Sequence, residues 1–121
     1  MNREIKFRAW HEKSKRIIDV FGFNKDYVFE DTMDGADLGN NILPREECIL
    51  MQFTGLLDKN GNEIYEGDKI RYKNFKGYST IVFENGAFGY YGVSCFITLL
   101  DSNIDYIEVI GNIYENPELL K

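Results

Sequence analysis

The chain has 121 residues, 44% hydrophobic and 28% charged, a composition typical of one folded globular domain and unlike that of a disordered protein. Its net charge of −6 disfavours general binding to phosphate backbones. Aromatic residues make up 15% of the sequence, and because they favour half-buried pleated surfaces, we expect strands and a recognition surface.

Several features indicate where the protein resides. The sequence opens without the pattern of a secretory leader, and its apolar runs are shorter than the ~20 residues of a membrane-spanning helix. The two cysteines, Cys48 and Cys95, lie inside apolar runs, where a thiol behaves as a small hydrophobic side chain. We therefore expect a soluble protein of the reducing cytoplasm.

The N-terminal residues predict a β-hairpin. Ile5, Phe7 and Ala9 alternate with polar or larger residues, which is the period of a strand, and a second apolar run spans residues 17–23 after a polar stretch. Residues 24–47 are rich in Asp, Asn and Gly and predict a long acidic loop, with a short strand near residues 27–29 and one helical turn after Pro44.

That acidic loop is the first candidate partner site. Loops of this length inside compact domains often carry function, and three carboxylates recur in it at every third position. The candidate contacts to a partner are Asp31, Asp34 and Asp37.

The middle of the chain predicts a strand over Ile49–Phe53 and then a tight turn. Asn60 and Gly61 are the residue pair that best tolerates positive φ at both centres of a type I′ turn. In the following Glu-Gly-Asp segment, we expect a positive φ at Gly67 and a bond from the Asp68 side chain to the nearby backbone.

Further strands are predicted over residues 69–73, 78–84, 87–91 and 106–114, while residues 93–100 fit either a buried strand or a short helix. In the first of these strands, alternation places Lys69, Arg71 and Lys73 on a wet face and Ile70 and Tyr72 on a dry one. Short strands at this spacing indicate a small antiparallel barrel or sandwich.

Three blocks, REIKFRAW, LMQFTGLLDKNGNEIYEGDKI and EVIGNIYENPELL, resemble the YopX family of phage and prophage proteins. The resemblance implies a mostly β fold whose C-terminal half resembles a Src-homology-3-like barrel. It does not indicate a mechanism, because the family lacks an established biochemical activity. We expect one domain over residues 1–121: an N-terminal lobe of hairpin and acidic loop (1–48) and a barrel-like lobe (49–121) ending in a short helical turn. An α+β arrangement is the alternative fold class.

Catalytic chemistry is poorly represented. His11 is the only histidine and falls in a polar turn, so we expect it to be solvated, and nucleotide-binding motifs are missing from the sequence. We expect neither a cofactor nor a metal: the acidic side chains fit solvated turn formers better than ligands. A carboxylate-dependent hydrolase that uses Glu63, Glu66 and Asp68 is a minor alternative.

The sequence thus favours a non-catalytic module that binds a protein of the phage or the host, or a second copy of itself. Binding of single-stranded nucleic acid is the first alternative, since small barrels combine basic grooves with aromatic stacking platforms. The candidate contacts for a nucleic acid or another partner are Lys69, Arg71, Lys73, Phe75, Lys76 and Tyr78.

Overall fold

The computed structural model describes residues 5–31, 42–73, 77–92, 95–101 and 104–116, which contain twelve strands and three single 3₁₀ turns. Every strand pairing is antiparallel. The prediction of a mostly β fold is confirmed. The chain forms two compact units, one within Glu4–Gln52 and the other within Phe53–Lys121, here called the N-terminal and C-terminal units.

The N-terminal unit is an antiparallel sheet in which the strands lie in the order β4-β3-β2-β1-β5. One 3₁₀ turn, Arg45–Glu47, follows the proline that was predicted to start it. The strands are β1 Phe7–His11, β2 Arg16–Phe23, β3 Tyr27–Glu30, β4 Ile42–Pro44 and the first half of β5 Cys48–Leu57.

One face of this sheet, the inner face, carries the core of the unit. Ala9 pairs with Ile18 on one side and with Leu50 on the other, and residues paired across antiparallel strands point to the same face. Ala9, Ile18 and Val28 are buried to 2% exposure or less. Partly buried apolar side chains pack against them: Val20, Leu43, Cys48 and Leu50.

The C-terminal unit begins in the second half of β5, which pairs with β6. Its other strands form two three-stranded sheets, ordered β11-β10-β9 and β12-β7-β8, with 3₁₀ turns at Leu99–Asp101 and Ile104–Tyr106. The strands are β6 Glu63–Tyr65, β7 Asp68–Tyr72, β8 Ser79–Thr80, β9 Val82–Glu84, β10 Ala87–Tyr91, β11 Phe96–Thr98 and β12 Ile107–Asn112.

A single apolar core joins the sheets of the C-terminal unit, as in a small barrel. Ile70 from β7, Tyr90 from β10 and Ile107 from β12 meet there, each at most 6% exposed. The segment that was ambiguous in sequence becomes a short strand, Phe96–Thr98, followed by a 3₁₀ turn. The predicted C-terminal helical turn lies outside the described residues.

The two Asn-Gly pairs adopt different turns. Asn85 and Gly86 both have positive φ, 52° and 81°, and join β9 to β10 as a type I′ turn. At the other pair Gly61 has φ 83° but Asn60 does not, so the predicted type I′ turn is wrong there. The Gly61 N–H instead donates to the Asp58 carbonyl at 3.0 Å, and the tip remains exposed as expected.

The Glu-Gly-Asp segment has the predicted local structure. Gly67 has a φ of 90°, and the Tyr65 N–H donates to the Asp68 carboxylate at 2.8 Å. Because Asp68 is only 1% exposed, this bond fixes the connection between β6 and β7 from inside the unit. Both expectations for this turn are confirmed.

Candidate interaction surfaces

The basic strand β7 differs from the sequence expectation. Lys69 is only 6% exposed, and burial lowers the pKa of its ammonium group, so its predicted place on a wet face is wrong. β7 is the central strand of its sheet, and Lys69 lies between Thr80 of β8 and Gly111 of β12. Asp68, Lys69 and Ile70 are all buried, so both faces of the first half of β7 are covered.

The basic side chains of Arg71 in β7 and of Lys73 directly after it already have partners. The Arg71 guanidinium donates to Glu108 at 3.2 Å, and the Lys73 ammonium lies 4.6 Å from the centre of the Tyr106 ring. Tyr78 is 41% exposed, whereas the candidate residues Phe75 and Lys76 lie outside the described residues. The described part of the chain thus does not bring these candidates together as a row of unpaired cations facing solvent.

The structure describes one of the three carboxylates predicted for the acidic loop. Asp31 is exposed at the end of β3, and its N–H donates to the Asp19 carbonyl at 2.9 Å. Asp34 and Asp37 lie outside the described residues. Among the residues that the structure describes, no group of three His, Cys, Asp or Glu side chains is placed to hold a metal ion.

In the hydrolase alternative, Asp68 and Glu63 are held by bonds to Tyr65. Asp68 is buried and accepts the Tyr65 N–H, while Glu63 accepts the Tyr65 hydroxyl at 3.2 Å. Glu66 is half-buried in the turn between them. The bonds of Asp68 and Glu63 shape the β6–β7 connection, which is a structural use of these acids.

The second face of the N-terminal sheet, here called the outer face, is a further candidate surface. Its register places Trp10 between Ile17 and Ile49, and it places Phe29 opposite Ile42. Trp10 and Met51 on this face are buried. Four large apolar residues of the face are exposed by 36% to 62%: Phe21, Tyr27, Ile42 and Ile49.

A β-bulge in β2 explains why Phe21 points outward. The register shifts between Val20 and Gly22, so that two residues of β2, Phe21 and Gly22, oppose one residue of β3, Phe29. After the shift, Phe23 returns to the inner face, where its ring centre lies 5.0 Å from that of Phe7. Phe21 is left 62% exposed, and no sequence signal beyond the Phe-Gly-Phe pattern marked this position.

An aromatic surface also occurs in the C-terminal unit, on the β9–β10–β11 sheet. The Tyr91 hydroxyl donates to the Glu84 carboxylate, and that bond raises the pKa of Tyr91. The Tyr91 ring centre lies 5.3 Å from that of Phe96, whose ring tip covers Gly89. This side of the sheet is therefore shaped by aromatic packing over a glycine.

His11 is not the solvated residue that the sequence predicted. It is 7% exposed, and its two ring nitrogens contact Ser14 Oγ at 2.6 Å and Glu47 Oε1 at 2.9 Å. The second oxygen of Glu47 binds the Lys13 ammonium at 3.1 Å. Because Glu47 is 36 residues away in sequence, local pattern gave no indication of this contact.

Comparison with known proteins agrees with this architecture. The family model described as YopX protein matches residues 6–121. The chain belongs to the YopX family.

Two solved structures share the fold of this YopX-family chain. Protein EF1440 from Enterococcus faecalis matches at 28% identity and a TM-score of 0.72, covering 99% of this chain and 100% of that one. Protein yopX from Bacillus subtilis matches at 19% identity and a TM-score of 0.61, covering 96% of this chain and 98% of that one. A search of curated proteins gives no match.

In the part of the chain that the structure describes, no helix has the length and apolar character that crossing a bilayer requires.

Proposed function

We propose that this chain is a phage- or prophage-encoded, non-catalytic protein-interaction module of the bacterial cytoplasm, and that the outer face of its N-terminal sheet is the contact surface. The supporting observation is that this face exposes large apolar side chains on neighbouring strands, including Phe21, Tyr27 and Ile42. Apolar patches of this kind are typical of protein interfaces.

The energetics suit a reversible interface. Fully burying a large apolar side chain contributes about 1.5 to 3 kcal/mol, so covering the exposed parts of Phe21, Tyr27, Ile42 and Ile49 contributes about 4 kcal/mol. A micromolar complex requires about 8 kcal/mol, so polar contacts at the rim must supply the rest. Strand β4 at the sheet edge offers backbone groups for such contacts.

Light scattering and affinity capture test the proposal together. Light scattering of the pure protein detects self-association, and a tagged chain captures partners from phage-infected host lysate at moderate salt. We expect the Phe21→Ser, Tyr27→Ser double variant to lose either the oligomer or the captured protein while its melting temperature stays close to that of the wild type.

The matched control is Phe83→Ser, which removes an aromatic side chain of similar exposure, 49%, from the C-terminal unit. This variant should retain the interaction. Loss of binding in Phe83→Ser but not in the double variant would place the contact surface elsewhere. Capture of nucleic acid alone, released as salt rises, would favour the single-stranded nucleic-acid alternative instead.

A further inference from the structure

The turn between β1 and β2 places a serine, a histidine and a glutamate in one hydrogen-bonded row. Ser14 Oγ lies 2.6 Å from His11 Nδ1, and His11 Nε2 lies 2.9 Å from Glu47 Oε1. These distances are within the reach that a nucleophile, its base and an orienting acid require. The row does not involve the outer face on which the proposed interaction depends.

The backbone holds this arrangement from both ends. The Lys15 N–H donates to the His11 carbonyl at 2.9 Å and closes the turn that carries Ser14. The Glu12 N–H donates to the Glu47 carbonyl at 2.9 Å, which ties the same turn to the 3₁₀ segment. The three side chains therefore sit on a turn that is fixed on both sides.

The direction of the hydrogen bonds follows from the charge of Glu47. Its bonds to His11 and Lys13 lower the pKa of Glu47, so the carboxylate is ionised and can only accept. His11 Nε2 must then donate, which leaves Nδ1 of the neutral ring as an acceptor. In this form of the ring the Ser14 hydroxyl donates to Nδ1, which is the polarity by which an imidazole takes a proton from a serine.

The exposure of the three residues matches these roles. Ser14 is exposed and open to a reagent, whereas His11 is 7% exposed. The Glu47 side chain is 19% exposed. An orienting acid and a buried base below an accessible hydroxyl are the arrangement that activates a nucleophile.

We propose that Ser14 is an activated nucleophile that accepts an acyl group from an activated ester. Ser14 Oγ bonds to the acyl carbon as the bond from that carbon to the leaving group breaks. The hydroxyl proton passes to His11 Nδ1 and from there to the departing group, while Glu47 stabilises the imidazolium. The product is an acyl-serine and the protonated leaving group, so the site is one of covalent modification.

The test uses p-nitrophenyl acetate. The leaving group, nitrophenol, ionises to coloured nitrophenolate in slightly alkaline buffer and is followed by absorbance, and tandem mass spectrometry locates the acetylated residue. We expect acetylation of Ser14 in the wild type and none in Ser14→Ala. Ser79→Ala is the matched control, since Ser79 is hydrogen-bonded to the Tyr91 carbonyl and not to a histidine. That variant should be acetylated on Ser14 at the wild-type rate.

Two variants test the roles of the supporting residues. Glu47→Gln keeps the shape of the acid but removes its charge, and we expect Ser14 acetylation to slow at least tenfold, with partial recovery in Glu47→Asp. His11→Gln should slow it about a hundredfold, the lower end of the contribution of a general base. If His11→Gln fails to fold, Glu47→Gln and the pH profile of the wild type still decide the matter.

The pH profile separates a base from a purely structural histidine. Besides Ser14, the groups that face His11 are Glu47 and Lys13 at the turn, Arg16 opposite it in β2 and Cys48 opposite it in β5. Acetylation of Ser14 should fall as the buffer is acidified and the imidazole becomes protonated. Acetyl groups found only on His11 or Lys13, or an equal rate in Glu47→Gln, would overturn the proposal.

Discussion

Replacing Asp58 with alanine removes a carboxylate that holds three backbone N–H groups. Its Oδ1 atom accepts the N–H groups of Asn60 and Asn62, both at 2.9 Å, and its Oδ2 atom accepts the Val109 N–H at 2.8 Å. Asp58 is 5% exposed, and it joins the tip of the β5–β6 connection to β12. A local turn and a contact 51 residues away thus depend on one side chain.

The expected loss in the free energy of unfolding can be worked out from these bonds. Removing the acceptor leaves the Val109 N–H without a partner inside the unit, which costs about 1 to 2 kcal/mol. The N–H groups of Asn60 and Asn62 lie at the exposed tip and can bind water, so each costs about 0.5 to 1 kcal/mol. Asp58→Ala should therefore destabilise the protein by about 3 kcal/mol.

Asp58→Asn is expected to cost about 2 kcal/mol, because an amide retains one acceptor oxygen but turns an NH₂ group toward another donor. Urea unfolding followed by tyrosine and tryptophan fluorescence measures both variants. Lys59→Ala, at the neighbouring exposed position, is the control and should change stability by less than about 0.5 kcal/mol.

The pH dependence provides a second measurement. Burial opposes the charged form of Asp58, but the N–H groups of Val109, Asn62 and Asn60 outweigh it and lower the pKa of this carboxyl. Its contribution is therefore present above the unfolded pKa of about 3.9 and is lost as the pH falls through the folded value. Equal unfolding curves for wild type and Asp58→Ala at neutral pH, or a gap that widens in acid, would refute this reasoning.

Three further predictions concern packing and thiol reactivity. Gly89→Ala should destabilise the protein by about 2 kcal/mol, because an added Cβ would meet the Ile97 carbonyl and lie 2.7 Å from Phe96 Cζ. Gly22 has open space around it, so Gly22→Ala should cost less than about 1 kcal/mol in the same urea assay. Ile70→Asp should prevent folding, because it places a carboxylate in the core. Lys69 is buried, so Lys69→Glu should lower the melting temperature measured by circular dichroism by more than Arg71→Gln does. Equal melting temperatures for Lys69→Glu and Arg71→Gln would contradict the burial of Lys69. Cys95 is exposed whereas burial raises the pKa of the Cys48 thiol, so a disulfide reagent at neutral pH should modify Cys95 first, and Cys95→Ser should remove the fast phase.

Local pattern predicted the elements whose structure depends on near neighbours. Alternation at Phe7 and Ala9 predicted β1, and the Glu-Gly-Asp segment predicted both the positive φ of Gly67 and the backbone bond of Asp68. In each case the determining contacts lie within a few residues, or follow from the period of a strand. This is why sequence reasoning succeeds there.

Longer contacts account for the failures. Alternation shows which residues of β7 share a face, but it does not show that the face of Lys69 is buried as well as the face of Ile70. Asn60 and Gly61 favour a type I′ turn on their own, yet the buried Asp58 carboxylate binds the Asn60 and Asn62 N–H groups and selects another turn. The outer face of the N-terminal sheet likewise depends on a bulge in β2.

The proposed interaction is assigned to the N-terminal unit because one face of its sheet exposes apolar side chains outside the core. In the C-terminal unit, apolar side chains from two sheets converge on one core, and buried carboxylates such as Asp58 fix its turns. In the N-terminal unit, the inner face already forms a core around Ala9, while the outer face leaves Phe21 and Tyr27 open to solvent. A sheet needs only one covered face to fold, so the exposed part of the second face, which excludes the buried Trp10 and Met51, is available for a partner. Ser14 and its neighbours lie outside the outer face, so substitutions on that face and at Ser14 should act independently. A double-mutant cycle on the rate of Ser14 acetylation that shows no coupling would support two separate roles.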